Sequence, residues 1–316
     1  MSSEPVLFAL EGSQAFGHAV ASELGVSLAA HEDRAFEDGE HKSRPLESMR
    51  GRDVYVLHTL FGEEALSVND KLLRLLFFIA TIKDAGAKRV TALLPYLSYA
   101  RKDRRVKHQD PVTTRYVAQL FEAMGVDCVV ALEVHNRGAF DNAFRCRTVH
   151  LEAHSLFVNT IIDRVGSEPV VIVSPDAGGT KRVDLFRDAW EATAGEQPPT
   201  AFLEKRRTDD EITGDAVVGD MTGRVAIIVD DMVASGITLL RAAEACKNKG
   251  ATKVFGVITH ALFGPGSEQL YRAGAMDQLF ITDSVTPQRA PDGQGQVTTL
   301  AVAGLFAQAV RELHTD

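Results

Sequence analysis

An apolar run, Val225-Ala226-Ile227-Ile228-Val229, ends in two adjacent carboxylates, Asp230 and Asp231. Met232-Val233-Ala234-Ser235-Gly236-Ile237-Thr238 then leads into a helical pattern that begins near Leu239. Neighbouring Asp side chains are suited to accept hydrogen bonds from the vicinal hydroxyls of a sugar. A Ser-Gly-Ile-Thr turn can wrap a phosphate with backbone N–H groups and two hydroxyls. In open α/β sheets ligands bind at the carboxyl ends of strands, where helix N-termini offer unpaired N–H groups to anions. The plainer account is that Asp230 and Asp231 cap the helix and favour its dipole, which is worth about 1 kcal/mol. One Asp would suffice for that. A pair placed directly after a buried strand points to a site.

Other segments carry weaker chemistry of their own. Arg101–His108 is a dense basic run in a chain with 34 Lys and Arg against 43 Asp and Glu, a net charge of −9. Taken alone it is a solvated loop or a nucleic-acid patch. Asp103 within it, and its place just after an apolar strand, favour a small polyanion such as a nucleoside triphosphate. His135 follows an apolar strand and by itself reads as a structural histidine. Asp176 ends another apolar strand, with Gly178-Gly179 behind it permitting close backbone approach, and reads equally as a turn or a site. Lys205-Arg206-Arg207 by itself is a solvated charge cluster.

Several classes fall away. No GxxxxGK[ST] occurs, which excludes a P-loop, and Gly293-Gln294-Gly295 is no dinucleotide fingerprint. His150 and His154, four apart, could share a helical face, but no third ligand accompanies them. Cys128, Cys146 and Cys246 form no CxxC spacing and support neither a disulfide framework nor a zinc site. The longest apolar stretch, Leu72–Ile82, is broken by Arg74 and falls far short of the ~20 residues a bilayer span needs. The start, MSSEPVLFALEGSQ, lacks the pattern of a signal peptide. Acidic balance argues against a nucleic-acid scaffold. The expectation is a cytoplasmic protein with neither membrane nor nucleic acid as partner.

These residues must be positioned by the elements around them. Apolar runs at Val6–Ala9, Val54–Leu57, Val90–Leu94, Cys128–Leu132, Val170–Val173, Val225–Val229 and Val254–Thr259 read as strands buried on both faces. Amphipathic stretches such as Asn69–Ala85, Thr114–Ala123 and Leu239–Lys249 lie between them. The class is α/β with mainly parallel sheets flanked by helices. Gly86-Ala87-Lys88-Arg89-Val90 is echoed by Gly250-Ala251-Thr252-Lys253-Val254, close to half the chain of 316 residues later. Glycine C-caps before buried strands recur in any α/β protein, but the spacing favours two copies of one unit, at 1–150 and 151–316. Glu191–Thr200 and Pro287–Gln296 read as surface loops.

Val225–Thr238 resembles the ribose-phosphate signature of type I phosphoribosyltransferases and of ribose-phosphate diphosphokinases, also called phosphoribosyl pyrophosphate synthetases. Other segments choose between these groups. Leu94–Arg105 resembles the diphosphokinases' loop at the nucleotide site, and Phe36-Glu37-Asp38-Gly39-Glu40 their adenine-contacting segment. Leu132-Glu133-Val134-His135 and Ser174–Gly179 resemble the two segments that hold magnesium. Lys205-Arg206-Arg207 resembles the basic start of the catalytic flexible loop. The matches run in family order over nearly the whole chain. The resemblance implies two type I phosphoribosyltransferase-like domains, the first carrying nucleotide segments and oligomer contacts. It implies transfer of the pyrophosphoryl group of Mg-ATP to the C1 hydroxyl of ribose 5-phosphate. Asp230 and Asp231 would hold the ribose hydroxyls; Ala234, Ser235, Gly236, Ile237 and Thr238 would form the 5-phosphate turn. His135 and Asp176 would help bind Mg2+, and Lys205 and Arg207 would close over the transition state. Phe36 would stack on adenine, with Asp38 and Glu40 near its polar edge and Arg101, Lys102 and Asp103 around the nucleotide. These groups come from neighbouring subunits in the family, so a homo-oligomer built from dimers, commonly hexameric, is implied.

Some positions depart from the family pattern. Ala234 removes a carboxylate from the phosphate turn, and Ile237 replaces a glycine that would help the backbone bend. Lys102 stands where glutamine is usual, which places another positive charge beside the nucleotide. Glu133 replaces an aspartate. Ala303 replaces a serine of the regulatory phosphate/ADP site, although Ser48 and Arg50 remain. The changes leave open a relative that acts on another sugar phosphate, or a non-catalytic partner that regulates an active synthetase.

Overall fold

The protein is described here by a computed structural model of residues 4–315 apart from 209–210, 273, 275 and 286–295, with side chains for all of these but 177, 204–216 and 271–272. The chain divides into two compact units, residues 1–151 with 301–316, and residues 152–300.

The first unit carries a five-stranded sheet in the order β1-β4-β5-β6-β7, parallel throughout. Its strands are β1 (Val6–Ala9), β4 (Asp53–Leu57), β5 (Arg89–Leu94), β6 (Cys128–Leu132) and β7 (Arg147–Leu151). Four of them are almost continuously apolar and buried, as expected of strands covered on both faces. Helices α1 (Gln14–Leu24), α2 (Val68–Asp84), α3 (Thr113–Ala123) and α4 (Arg137–Ala143) lie between strands. α2 begins at a reciprocal cap: Ser67 Oγ accepts from the Asp70 N–H while the Asp70 carboxylate accepts from the Ser67 N–H.

A two-stranded antiparallel hairpin, β2 (His31–Ala35) and β3 (His41–Pro45), stands apart from the sheet. Its residues are mostly polar, so cross-strand charge takes the place of apolar alternation. Arg44 lies opposite Glu32 and donates to its carboxylate at 2.5 Å. The hairpin also leans on α2, where His41 stacks on Phe77 with ring centroids 5.6 Å apart.

The second unit holds a seven-stranded sheet in the order β10-β9-β8-β11-β12-β13-β14. β8 (Val170–Ser174), β11 (Val225–Val233), β12 (Lys253–Ala261), β13 (Gln278–Thr282) and β14 (Val297–Leu300) run parallel; β9 (Thr200–Thr208) and β10 (Glu211–Val218) form an antiparallel ribbon at one edge. Helices α5 (His154–Val165), α6 (Thr180–Ala194), α7 (Ile237–Asn248) and the short α8 (Gln269–Arg272) complete the unit.

The final helix, α9 (Ala303–Thr315), belongs to the first unit and not to the second, which corrects the 151–316 span. Phe306 meets Phe16 of α1 edge-on at 5.6 Å. Asp53 on β4 accepts from Arg89 at 2.8 and 2.6 Å and from the Tyr55 hydroxyl at 3.0 Å, and lies 2.7 Å from His314 Nδ1. Arg89 also donates to the Leu313 carbonyl. Burial pushes the Asp53 carboxyl up, but the hydrogen bonds from Arg89, His314 and Tyr55 outweigh it and hold the group below its ordinary value.

Two smaller expectations also change. α6 runs through Glu191–Ala194 before Gly195, at φ 79°, ends it, so the loop predicted over Glu191–Thr200 is shorter. His150 lies on β7 and His154 opens α5, so the two share no helical face. The loop predicted at Pro287–Gln296 lies outside the described residues except at Gln296.

Candidate active site

β11 carries both carboxylates inside its span, flanked by β12 on one side and by β8 as far as Ile228 on the other. The pairing with β8 ends at Ile228, and Arg182 of α6 reaches both carboxylates that follow. One guanidinium nitrogen lies 2.8 Å from Asp230 Oδ1 and the other 3.2 Å from Asp231 Oδ1. The Asp231 N–H donates to Asp230 Oδ1 at 2.9 Å. Burial raises the Asp230 carboxyl well above the carboxylate range, the adjacent Asp231 charge adds to this, and Arg182 opposes it.

The turn after β11 is built on one glycine. Gly236, buried, takes φ 79° at the N-cap of α7, and no side chain caps that helix. Its first N–H groups are therefore available to an anion. A Cβ at Gly236 would lie 2.6 Å from Leu270 Cδ1. Ile237 is the first residue of α7, and among the described non-glycine residues only Tyr99, Gln109, Glu133 and Phe263 have positive φ. The bend thus needs no glycine at 237, where the sequence suggested that one would help. Ala234, Ser235, Ile237 and Thr238 are exposed. The Ala234 carbonyl accepts from the Gly264 N–H at 2.9 Å, which ties the turn to the chain leaving β12.

At the end of β8, Asp176 Oδ1 accepts from the Gly178 and Gly179 N–H groups at 2.8 and 3.1 Å. A Cβ at Gly179 would lie 2.6 Å from Ser174 Oγ, so that position has no room for a side chain. Lys205 and Arg207 lie on β9, opposite Asp215 and Ile212 of β10, within a strand and not at the start of a loop. Their side chains lie outside the described residues.

In the first unit, the turn after β6 holds Glu133 in the left-handed region at φ 41°. Its N–H donates to the Leu151 carbonyl at 3.0 Å, and the Val134 N–H to His150 Nε2 at 3.2 Å. His135 is exposed at the head of this turn, and Asn136 then caps α4 through the Ala139 N–H at 3.2 Å. Asn136 also donates to Asp103 Oδ2 at 2.7 Å, so the loop after β5 and the turn bearing His135 are joined.

That loop is organised by Asp110. Its Oδ2 accepts from Lys102 at 2.6 Å and from the Val106 and Lys107 N–H groups at 3.1 and 3.0 Å. The Lys102 ammonium, followed by the Lys107 and Val106 N–H groups, holds the Asp110 carboxyl down to about 2. Lys102 therefore already has an anionic partner, whereas the sequence suggested a charge aimed at a nucleotide. Arg101 is exposed. At the tip of the β2–β3 hairpin, Asp38 accepts from the Glu40 N–H at 3.1 Å, and the Arg34 guanidinium lies 5.1 Å from the centroid of the Phe36 ring. Among the described residues the tip makes no hydrogen bond or ion pair to the 95–110 loop. Ala303 opens α9 and is buried, while Ser48 and Arg50 are exposed between β3 and β4.

Sequence reasoning missed Arg182 and Asp110. Neither belongs to a motif, and each is found only by asking what pairs a buried carboxylate or an out-of-place lysine.

Comparison with known proteins agrees with the ordered motifs. The profile described as the N-terminal domain of ribose phosphate pyrophosphokinase matches residues 5–125, and that of the phosphoribosyl synthetase-associated domain matches residues 206–316. A ribose-phosphate pyrophosphokinase from Vibrio vulnificus is 33% identical over 98% of this chain and 96% of its own. Ribose-phosphate pyrophosphokinase 1 from Streptococcus pyogenes is 32% identical over 99% and 95%. The crystal structure of phosphoribosylpyrophosphate synthetase from Mycobacterium smegmatis superposes with a TM-score of 0.88 at 30% identity, covering 99% of both chains.

Proposed function

The chain belongs to the ribose-phosphate pyrophosphokinase family, and on that premise we propose that it transfers the pyrophosphoryl group of Mg-ATP to the C1 hydroxyl of ribose 5-phosphate, releasing AMP and phosphoribosyl pyrophosphate. The observation that carries this reading at the level of chemistry is the β11–turn–α7 segment. It sets two carboxylates beside the uncapped N-terminus of a helix, the two acceptor and donor sets a sugar phosphate needs.

In this reading Asp230 and Asp231 accept from the ribose hydroxyls. The N–H groups of the turn from Ala234 to Thr238, with the Ser235 and Thr238 hydroxyls, hold the 5-phosphate. The C1 oxygen attacks the β-phosphorus in line, the bond from that phosphorus to the α–β bridging oxygen breaks, and AMP leaves. The protein contributes positioning and charge compensation. Lys205 and Arg207 lie over the transferred group. Phe36, Asp38 and Glu40 contact adenine, Arg101 covers its other face, and Asp103 borders the nucleotide. Lys102 acts through Asp110 on the shape of that loop.

The donor set fits magnesium. Asp176 Oδ2 makes no hydrogen bond among the described residues and offers a hard oxygen. No cluster of three or more His, Cys, Asp or Glu suited to a metal occurs among the described residues. Asp176 and His135 would hold the ion, and it would supply charge neutralisation on the polyphosphate.

The protein is further proposed to be a dimer-based homo-oligomer, probed by light scattering. Exposed pairs one helical turn apart, Leu73 and Phe77 on α2 and Tyr116 and Leu120 on α3, support this. No helix among the described residues is long and apolar enough to cross a membrane. A cytoplasmic location is proposed from the metabolic role of the family.

The test is stoichiometric AMP and phosphoribosyl pyrophosphate formation from Mg-ATP and ribose 5-phosphate. Lys205→Ala should lower kcat by about 100-fold or more, the loss of one contact worth ~3 kcal/mol, with folding unchanged by circular dichroism. No product from correctly assembled protein, or a clear preference for another sugar phosphate, overturns the assignment.

A further inference from the structure

We infer that Arg182 is the positioning residue of the ribose site, its forked guanidinium fixing the geometry and balancing the charge of Asp230 and Asp231 for a vicinal diol. The inference rests on the proposed ribose site.

Both guanidinium contacts, at 2.8 and 3.2 Å, use the Oδ1 atoms, and the Asp231 N–H adds a second donor to Asp230 Oδ1 at 2.9 Å. Asp230 Oδ1 thus accepts from two donors, one on α6 and one on its own strand. Two donors on one oxygen fix the orientation of the carboxylate. Arg182 is itself mostly buried, with a side chain 14% exposed, so it is held in place and not free in solvent.

Charge leads to the same residue. A diol is neutral and brings no cation to two carboxylates on consecutive residues. Burial and mutual repulsion both favour taking up a proton, and Arg182 opposes this without cancelling it, so removing the guanidinium would push the pair further toward a protonated carboxyl, which loses an acceptor that the diol needs. Lysine is a weaker substitute, because a single ammonium point cannot serve two carboxylates with the planar two-nitrogen fork seen here.

Reach is set by the preceding turn. Asp176 caps Gly178 and Gly179, and α6 starts directly afterwards at Thr180. A Cβ on Gly179 would lie 2.6 Å from Ser174 Oγ and 3.6 Å from an Arg182 guanidinium nitrogen. The absent side chain lets the first turn of α6 approach closely enough for Arg182 to meet β11.

The experiment is steady-state kinetics on the full-length assembled protein, comparing wild type with Arg182→Ala, Arg182→Lys and Asp231→Asn. Loss of charge-assisted hydrogen bonds to both carboxylates should raise KM for ribose 5-phosphate about 10–100-fold in Arg182→Ala, with KM for Mg-ATP within about twofold. Arg182→Lys should fall between it and wild type. Millimolar guanidinium should lower the raised KM of Arg182→Ala and leave that of Asp231→Asn unchanged, a rescue that a purely structural role would not give. If Asp231→Asn raises KM for ribose 5-phosphate while Arg182→Ala does not, the role of Arg182 is refuted and the ribose site stands. If neither variant changes it, the ribose site itself is misplaced. If Arg182→Ala fails to assemble, Arg182→Lys decides: a wild-type KM for ribose 5-phosphate overturns the inference.

Discussion

Gly236→Ala should be among the most damaging single-methyl additions to the second unit. Gly236 sits at φ 79°, where a side chain costs about 1 kcal/mol. The new Cβ would also stand 2.6 Å from Leu270 Cδ1 and 2.7 Å from Cγ, far inside the ~3.5–4.0 Å of ordinary carbon contact. Leu270 is buried, so relieving the clash means overpacking, at about 1–3 kcal/mol. The two costs sum to ~2–4 kcal/mol, and at ~2–4 °C per kcal/mol for a domain of this size the thermal midpoint should fall by roughly 5–15 °C. Because the same backbone presents the helix N–H groups, KM for ribose 5-phosphate should rise as well. Leu270→Ala placed in the Gly236→Ala background should recover the steric part but not the backbone part. Ile237→Gly is the control, costing no more than about 1 kcal/mol of helix propensity. A Gly236→Ala protein that melts with wild type and binds ribose 5-phosphate equally well would refute the strain argument.

Asp53→Asn should loosen α9 and cost about 3 kcal/mol, measured by urea unfolding at pH 7, because Arg89 loses a partly buried anionic partner. The Asp53 carboxyl is held below its ordinary value in the folded protein, so its contribution is complete above the unfolded value near ~4 and disappears as pH falls through the folded value. Wild type should therefore lose stability relative to Asp53→Asn only in acid, and an equal pH profile would refute the latch. Asp110→Ala should speed amide exchange across residues 102–110 and raise KM for ATP without moving the thermal midpoint. With Asp110 held at about 2, wild type should keep slow exchange down to about pH 3, whereas loss near pH 4 would contradict the brace.

Which features could be read in advance follows from where their energy comes from. Strands such as Val225–Val229 and Cys128–Leu132 bury both faces, so their own residues state the fact. The β2–β3 hairpin buries little and is held by Glu32 with Arg44 and by a ring on α2, so no period in its sequence marks it. The return of α9 depends on Asp53 and Arg89, more than two hundred residues away, and no local pattern encodes such a pairing. At the candidate site the adjacent carboxylates and the strand–turn–helix that carries them were legible because chain neighbours form them. Arg182 was not, since it reaches its partners from another element. That Gly236 and not position 237 carries the left-handed bend is not legible, because position alone does not reveal which residue of a turn takes it.

The grouping of α9 with β1–β7 also constrains how the chain is made. Synthesis delivers residues 1–151 first, yet their last helix emerges only after all of residues 152–300, a delay of roughly 7–30 s at ~5–20 residues per second. Meanwhile Phe16 lacks Phe306, and Arg89 lacks the Leu313 carbonyl. The second unit, being continuous, can finish on the ribosome before the first. A nascent first unit still lacking the buried face of α9 for that interval is the stage most exposed to aggregation, and the one for which a chaperone would have most to hold.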